Sequence, residues 1–234
     1  MKNILNSKPT NNVTLENEKL YKNIVDDLDL KDKTILDLGC GFGWFCLIAE
    51  KKGAQKIYGI EISDEDLQTA KNHIKSKKIE FKIGSAIHIP LPDSSIDTIF
   101  SWEVIEHIPE NKERKMIEEI ERVLKPGGKC YLSTPYNSFI SKLFDPAFIV
   151  LKHRHYDEKH FQKFVKGTKM KIENITAKGR FWYLLDLINL YFSKWVLRRE
   201  KLFEMYMLKK RINEFKNSKK KGYMALYVKL CKQN

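Results

Sequence analysis

The residues best suited to chemistry fall into two groups. In the first, Asp37 sits in an apolar run, Thr34-Ile35-Leu36-Asp37-Leu38, and glycines follow at alternate positions, Gly39, Gly41 and Gly43, before a helix-like segment from Trp44 to Lys51. Such a turn lets the backbone take positive φ and removes Cβ atoms, so a ligand can rest on main-chain N–H groups where the helix begins. Glu61 stands 22 positions after Gly39 and closes a second strand-type run, Lys56 to Glu61. In a doubly wound sheet the ends of the first two strands lie side by side, where a carboxylate can accept both ribose hydroxyls of a nucleoside. In the second group, Glu103, Glu106 and His107 follow Ser101-Trp102. Two carboxylates and an imidazole suit Mg²⁺ or Mn²⁺, a general base at His107, or the capping of a turn, and these alternatives stay open.

The elements that must position these groups alternate strand and helix. Gly53 ends the first helix; Ser63-Asp64-Glu65 starts the next, with Leu67, Ala70 and Ile74 as its buried stripe. Lys78 to Ile83 reads as a third strand ending in Gly84-Ser85-Ala86, and Ile89 to Ser101 as a Pro-rich turn entering a fourth. Met116, Ile117, Ile120, Val123 and Leu124 mark a helix closed by Lys125-Pro126-Gly127-Gly128; Lys129 to Ser133 is the fifth strand, and the loop after it carries Tyr136 and Asn137. A helix over Glu158 to Val165, a strand over Met170 to Ala177 and a last strand over Gly222 to Leu230 follow. Leu20, Ile24, Val25 and Leu28 predict an amphipathic helix over Glu16 to Leu28. The pattern predicts an α/β fold in one domain over residues 1–234.

The glycine spacing is G-x-G-x-G, which excludes the G-x-G-x-x-G dinucleotide fingerprint. Preceded by Leu36-Asp37-Leu38, it resembles motif I of the class I S-adenosylmethionine-dependent methyltransferases. Leu91-Pro92-Asp93-Ser94-Ser95-Ile96-Asp97 and Leu124-Lys125-Pro126-Gly127-Gly128 resemble further stretches of the type 11 group, over roughly residues 33–135. The resemblance implies a Rossmann-like, doubly wound, seven-stranded and mostly parallel sheet with an antiparallel last strand and a helical insert before it. It also implies S-adenosylmethionine as cofactor, held by Asp37, Gly39, Gly41, Gly43, Glu61 and Ile62. Ser85 takes the place of the family's adenine-binding Asp, with the Ala86 backbone beside it. Trp102 lies against the cofactor or is an ordinary core aromatic. Glu103, Glu106 and His107 resemble the E-x-x-E-H of ubiquinone-biosynthetic and small-RNA O-methyltransferases, where the trio can hold a divalent metal such as Mg²⁺; His107 is alternatively the catalytic base. His153-Arg154-His155-Tyr156 resembles an H-x-x-F/Y element of type 11 enzymes, its histidines reaching the site or lying on the surface.

Charge divides the chain. Residues 1–150 hold 21 Lys/Arg against 23 Asp/Glu, whereas residues 151–234 hold 22 against 7, so the excess behind the net +13 lies in the last third. A basic region of this kind implies an acidic partner there. Residues 181–221 join aromatic and basic side chains in a segment too short and too interrupted by Asp186, Asn189 and Lys194 to cross a bilayer. It reads as a lid, a dimer interface or an interfacial membrane helix. The four cysteines form no C-x-x-C pair, and Met1 to Asn12 carries no apolar signal core, which predicts a reducing, cytoplasmic location, peripheral at a membrane if the insert rests on one. The acceptor expected is a small, lipophilic molecule, with O-methylation favoured. An RNA methyltransferase using the basic third, and a non-catalytic S-adenosylmethionine-binding protein, are the alternatives.

Overall fold

Ile35 and Leu36 are adjacent and both fully buried, and they belong to opposite apolar layers. Strands whose neighbouring side chains are both buried must be covered on both faces, as parallel sheets are. The computed structural model describes residues 21–22, 24–145, 153–217 and 221–234. In it β1 (Thr34–Leu38), β2 (Lys56–Glu61), β3 (Ile79–Ile83), β4 (Ile96–Trp102), β5 (Leu124–Pro135), β6 (Met170–Lys178) and β7 (Ala225–Lys232) form one sheet ordered β3-β2-β1-β4-β5-β7-β6. The first five strands pair in parallel, and β7 runs antiparallel between β5 and β6. The chain reverses direction of travel across the sheet between β1 and β4, which places a crevice at the carboxyl ends of those strands.

Helices α1 (Trp44–Lys51) and α2 (Asp64–His73) cover one face, burying Phe45, Cys46, Ile48 and Leu67 against Ile35 and Ile57. On the other, α3 (Glu113–Val123) buries Met116, Ile117, Ile120 and Val123 completely, and α5 (Glu158–Val165) adds Phe161, following the short α4 (Phe139–Phe144). Ser63 caps α2 by accepting from the Asp66 N–H, as the Ser-Asp-Glu run requires.

Two sequence expectations change. Of the helix expected over 16–28, residues 16–20 and 23 lie outside the described residues, and the rest ends in a 3-10 turn, Asp27–Asp29, leaving Leu28 73% exposed. The cause is Asp29, which turns inward to accept from Tyr131 Oη at 2.5 Å and to pair with Lys129 and Lys229. The fifth strand begins at Leu124, not Lys129: Leu124 pairs with Ile96, and a register shift between Ile96 and Thr98 absorbs residues 125–128 as a bulge.

Within residues 181–221, α6 (Phe181–Tyr191) runs into a wider turn, Phe192–Val196, and α7 (Glu204–Asn217) packs back, burying Leu208, Ile212 and Phe215 on the α1 face of the sheet. Glu214 of α7 accepts the N–H groups of Arg180, Trp182 and Tyr183, satisfying the first turn of α6. Asp186, 3% exposed, pairs with Lys201 at 2.6 Å and Arg211 at 2.7 Å. Removing one partner of a buried pair strands the others. Asp186→Ala is therefore expected to lower stability by about 3 kcal/mol, read from urea unfolding.

Candidate functional site

β1 delivers Asp37, Leu38 and the glycine turn to the crevice. The N–H groups of Gly39 and Cys40 both donate to the carbonyl of Ile60, which ties the turn to the end of β2. Gly39 and Gly41 take φ of +79° and +49°, and a Cβ on Gly39 would stand 2.3 Å from the Val104 side chain. Only glycine fits there. Glu61 accepts from Gly41 N (2.9 Å), Ile62 N (2.8 Å) and Ser63 N (3.0 Å), so one carboxylate organises the glycine turn and its own strand end.

These groups open onto a cavity of about 940 Å³. Asp37, Gly39, Gly41, Glu61, Ile62, Ser85, Ala86, Trp102, Glu103, Glu106 and His107 all line it. Gly43 does not: it caps α1 in the left-handed conformation, and a Cβ there would meet Ile74 at 2.7 Å and Phe81 at 2.8 Å. What the structure gives Gly43 is close packing of α1 against Ile74 and Phe81, away from the cavity lining. Tyr136 and Asn137 are not among the described lining residues either. Tyr136 pairs with Tyr156, and the Asn137 amide donates to Asp157 at 2.9 Å, which turns both toward α5.

Asp37 is 2% exposed, with Cys46 Sγ 3.3 Å from Oδ2. Burial, reinforced by the charge of Glu61, pushes its carboxyl up to about 7. Trp102 is core and wall at once: 8% exposed, it packs on Tyr21 (centroids 4.5 Å) and Phe45 (5.5 Å) and also lines the cavity. Ser85 Oγ accepts from Ile87 N at 3.3 Å, shaping the turn after β3.

Opposite the glycine turn, β4 ends in Trp102 and the backbone breaks at Glu103, a non-glycine residue with φ +54°. Backbone strain of this sort gathers at working sites. Glu103 is open to the cavity and accepts from Ser133 Oγ at 2.6 Å; the surrounding walls still withdraw enough solvent to raise its carboxyl. Glu106 is 4% exposed and raised well above the carboxylate range by burial and by Glu103 beside it. His107 lies at the cavity rim. Desolvation and the neighbouring His153 and Arg154 charges bring its imidazole down to about 4, so it is neutral at pH 7.

The expected metal trio does not assemble. Among the described residues, ligand atoms lying within 4.8 Å of one another come from Glu106, His107 and His153, or from Asp145, His153 and His155; Glu103 belongs to neither set. Its carboxylate is turned to Ser133, so the donor set proposed for Mg²⁺ does not fit. His153 Nε2 lies 3.3 Å from His107 Nε2, and Asp145 Oδ2 lies 3.0 Å from both His153 Nδ1 and His155 Nε2. Those two histidines hold the Asp145 carboxyl well below its ordinary value, though burial opposes them. His155 is 7% exposed, which removes it from the surface. Asp145 carried no sequence signal, because it meets its partners only through the fold. Tyr183, Leu187, Leu190, Tyr191 and Trp195 of the insert complete the wall, as does Tyr21. Their aromatic spacing was visible in sequence; their facing the cavity was not.

Residues 36–132 match the family model described as a methyltransferase domain. Over that span the chain is similar to methyltransferase domains of the type 11 group. The match spans the glycine turn, Glu61 and the Glu103–His107 cluster, and the family implies S-adenosylmethionine as methyl donor. The domain is 36% identical over 111 residues to norajmaline N-methyltransferase of Rauvolfia serpentina, covering 46% of this chain and 37% of that protein. It is 32% identical over 132 residues to a ubiquinone biosynthesis O-methyltransferase of Coxiella burnetii, covering 56% and 55%. The chain thus spans between about a third and about half of these curated relatives. Geranyl diphosphate methyltransferase, solved in complex with SAM, shares the fold of the methyltransferase domain with a TM-score of 0.62 at 13% identity, over 94% of this chain and 85% of that one.

Two outcomes follow from the cradle. Gly39→Ala should cost at least tenfold in S-adenosylmethionine affinity by calorimetry, because φ and Val104 both oppose the added methyl. The second concerns pH. Unfolded, Asp37 loses its proton near pH 4; folded, near 7. Between these values the folded state binds the extra proton, so ligand-free stability falls as pH rises and levels off above 7. Asp37→Asn should abolish that slope and exceed the parent at pH 8 by roughly 4 kcal/mol in denaturant unfolding.

Proposed function

We propose that this chain is an S-adenosylmethionine-dependent methyltransferase acting on a small, lipophilic acceptor. What carries the reading is that Asp37, the glycine turn and Glu61 open onto the same cavity as Glu103, Glu106 and His107. When bound, the sulfonium supplies a methyl already activated for displacement, so the protein's task is alignment and exclusion of water. Asp37, Gly39, Gly41, Glu61 and Ile62 are the residues that would hold it, with Ser85 and Ala86 toward the adenine. Trp102 and the insert aromatics Tyr183, Tyr191 and Trp195 dry the chamber, which makes residues 181–221 its lid.

A hydroxyl acceptor fits His107 poorly as base. An imidazole near 4 is about six units from a phenol near 10, an uphill transfer of roughly 8 kcal/mol. His107 is therefore read as a neutral hydrogen-bond partner that orients the acceptor. His107→Ala should leave donor affinity within about twofold and lower turnover at least tenfold, measured with methyl-labelled donor; unchanged turnover removes His107 from the mechanism.

The reading also places the outer face of the lid on lipid. Fifteen large apolar side chains stand exposed among the described residues, and twelve of them fall within 139–144 and 181–206, Phe139, Phe192, Trp195 and Phe203 among them. Exposed Arg198 and Arg199 lie in the second stretch, and exposed Lys209 follows it. Apolar and aromatic side chains rimmed by cations suit an anionic membrane surface. Cosedimentation should be at least fivefold stronger with vesicles containing phosphatidylglycerol than with phosphatidylcholine alone, and Phe203→Glu, at a position 73% exposed and off the cavity, should weaken it.

Calorimetry with S-adenosylmethionine, then transfer of labelled methyl to separated lipid, RNA and protein fractions, tests the whole reading. Labelling of RNA that falls steeply with salt favours the RNA alternative. Donor binding without transfer to any fraction favours the non-catalytic one, and absence of donor heat ends all three.

A further inference from the structure

The cavity opposes the charge of the chain that encloses it. Among its described lining residues are six carboxylates, Asp37, Glu61, Asp66, Glu103, Glu106 and Asp145, and no lysine or arginine, although the chain carries a formal +13. Half of these acids serve the cradle side. The other half, Glu103, Glu106 and Asp145, face the space left for an acceptor.

Glu106 is the most telling of them. Its Oε2 accepts from Thr134 Oγ1 at 3.1 Å, while its Oε1 is buried with no N–H or hydroxyl donor among the described residues, its side chain otherwise meeting only the Glu103 carboxyl; His153 Nε2 is 4.0 Å away. Two buried carboxyl groups that have mainly each other as partners form a costly arrangement that a bound cationic donor can relieve. The walls nearby include Trp102, Tyr183 and Tyr191, whose ring faces attract cations.

We propose that the acceptor is a lipophilic amine that enters as its ammonium ion and is received by Glu103 and Glu106. This rests on the cavity being the site of methyl transfer. Carboxyl groups without a lysine or arginine among the described lining residues give phosphates and carboxylates no partner, and a neutral hydroxyl gains little from such a chamber. Proton balance points the same way. Passing a proton from ammonium to carboxylate leaves two neutral groups, which burial favours; passing one from a hydroxyl to carboxylate only relocates the negative charge, and burial gives no help. The ammonium yields one proton to the Glu103–Glu106 pair, and the freed nitrogen lone pair forms the N–C bond to the methyl. The S–C bond breaks with its electron pair left on sulfur. The methylated product leaves as an ammonium ion, and the carboxyl pair returns its proton to solvent.

The test uses the full chain saturated with S-adenosylhomocysteine in EDTA and follows tryptophan fluorescence. Three probes of like size are titrated: N-methylphenethylamine, 3-phenylpropan-1-ol and 3-phenylpropanoate. The amine should bind at least tenfold tighter than the alcohol, and the carboxylate weakest. Glu106→Gln should bring amine and alcohol within threefold while S-adenosylhomocysteine affinity holds. Glu103→Gln, at an exposed position, should do the same and guards against a folding defect at Glu106. An alcohol as tight as the amine, or a preference surviving in both variants, overturns the proposal while leaving the methyltransferase reading intact. Mn²⁺ titrated alone, binding in the parent and lost in Glu106→Gln with no amine preference, assigns that oxygen to a metal and also overturns it. Failure of S-adenosylhomocysteine to bind removes both.

Discussion

Desolvation of carboxylates is the constraint around which this molecule is built. Asp37 at the end of β1 and Glu106 just beyond β4 are each less than a twentieth exposed, and both are raised by burial in the first instance. A fold that buries acids without partnering them gives up stability. Such groups are retained where a ligand restores what folding withheld, and both of these line the same cavity. By contrast, acids elsewhere are conventionally paired: Glu119 is held low chiefly by its hydrogen bonds with Arg122, whose guanidinium also reaches the carbonyls of Ile89 and Leu91. The contrast separates carboxylates held by ion pairs from those turned to the cavity.

The sheet explains why the cavity-lining acids converge. β1 has β2 on one side and β4 on the other, all parallel, so the three carboxyl ends share one edge. Glu61 then reaches the glycine turn directly, and Glu103 and Glu106 face it from the opposite bank. β7 supplies the far side differently. Because it runs antiparallel to β5, its entry point lies at this same edge, and Met224 just before it joins the cavity wall. The insert before β7 is thereby delivered to the mouth of the chamber, anchored by Asp186 and Glu214 to its own return helix.

Asp145 links α6 to the histidines beside the cavity. It stands 3.0 Å from His153 and His155, and Tyr191 Oη donates to its other oxygen at 3.3 Å. Through His153 the chain of contacts reaches His107. Tyr191 of α6, the Asp145 carboxylate and the cluster after β4 are thus in one network of polar contacts, which couples the position of α6 to the polarity of the cavity.

How much of this could be read from the chain alone follows from the range of the forces involved. The strands around Asp37 and Glu61, the Ser63 cap and the stripe on α3 are set by propensities and periodicities that act over a few residues, so they were legible. The glycine turn was legible too, save that Gly43 answers to Ile74 and Phe81, thirty and more positions away. Leu28 failed because Asp29 responds to lysines on β5 and β7, which no local pattern reveals. The E-x-x-E-H spacing marked three residues that do line one cavity, yet their partners are Ser133 for Glu103 and His153 for His107. Residue types and spacing determined the sheet, the cradle and the candidate acids. Only the tertiary structure decided which of those acids would be buried, which would be paired and which side chains would close over them, because desolvation depends on every atom packed around a group and not on its neighbours in the chain.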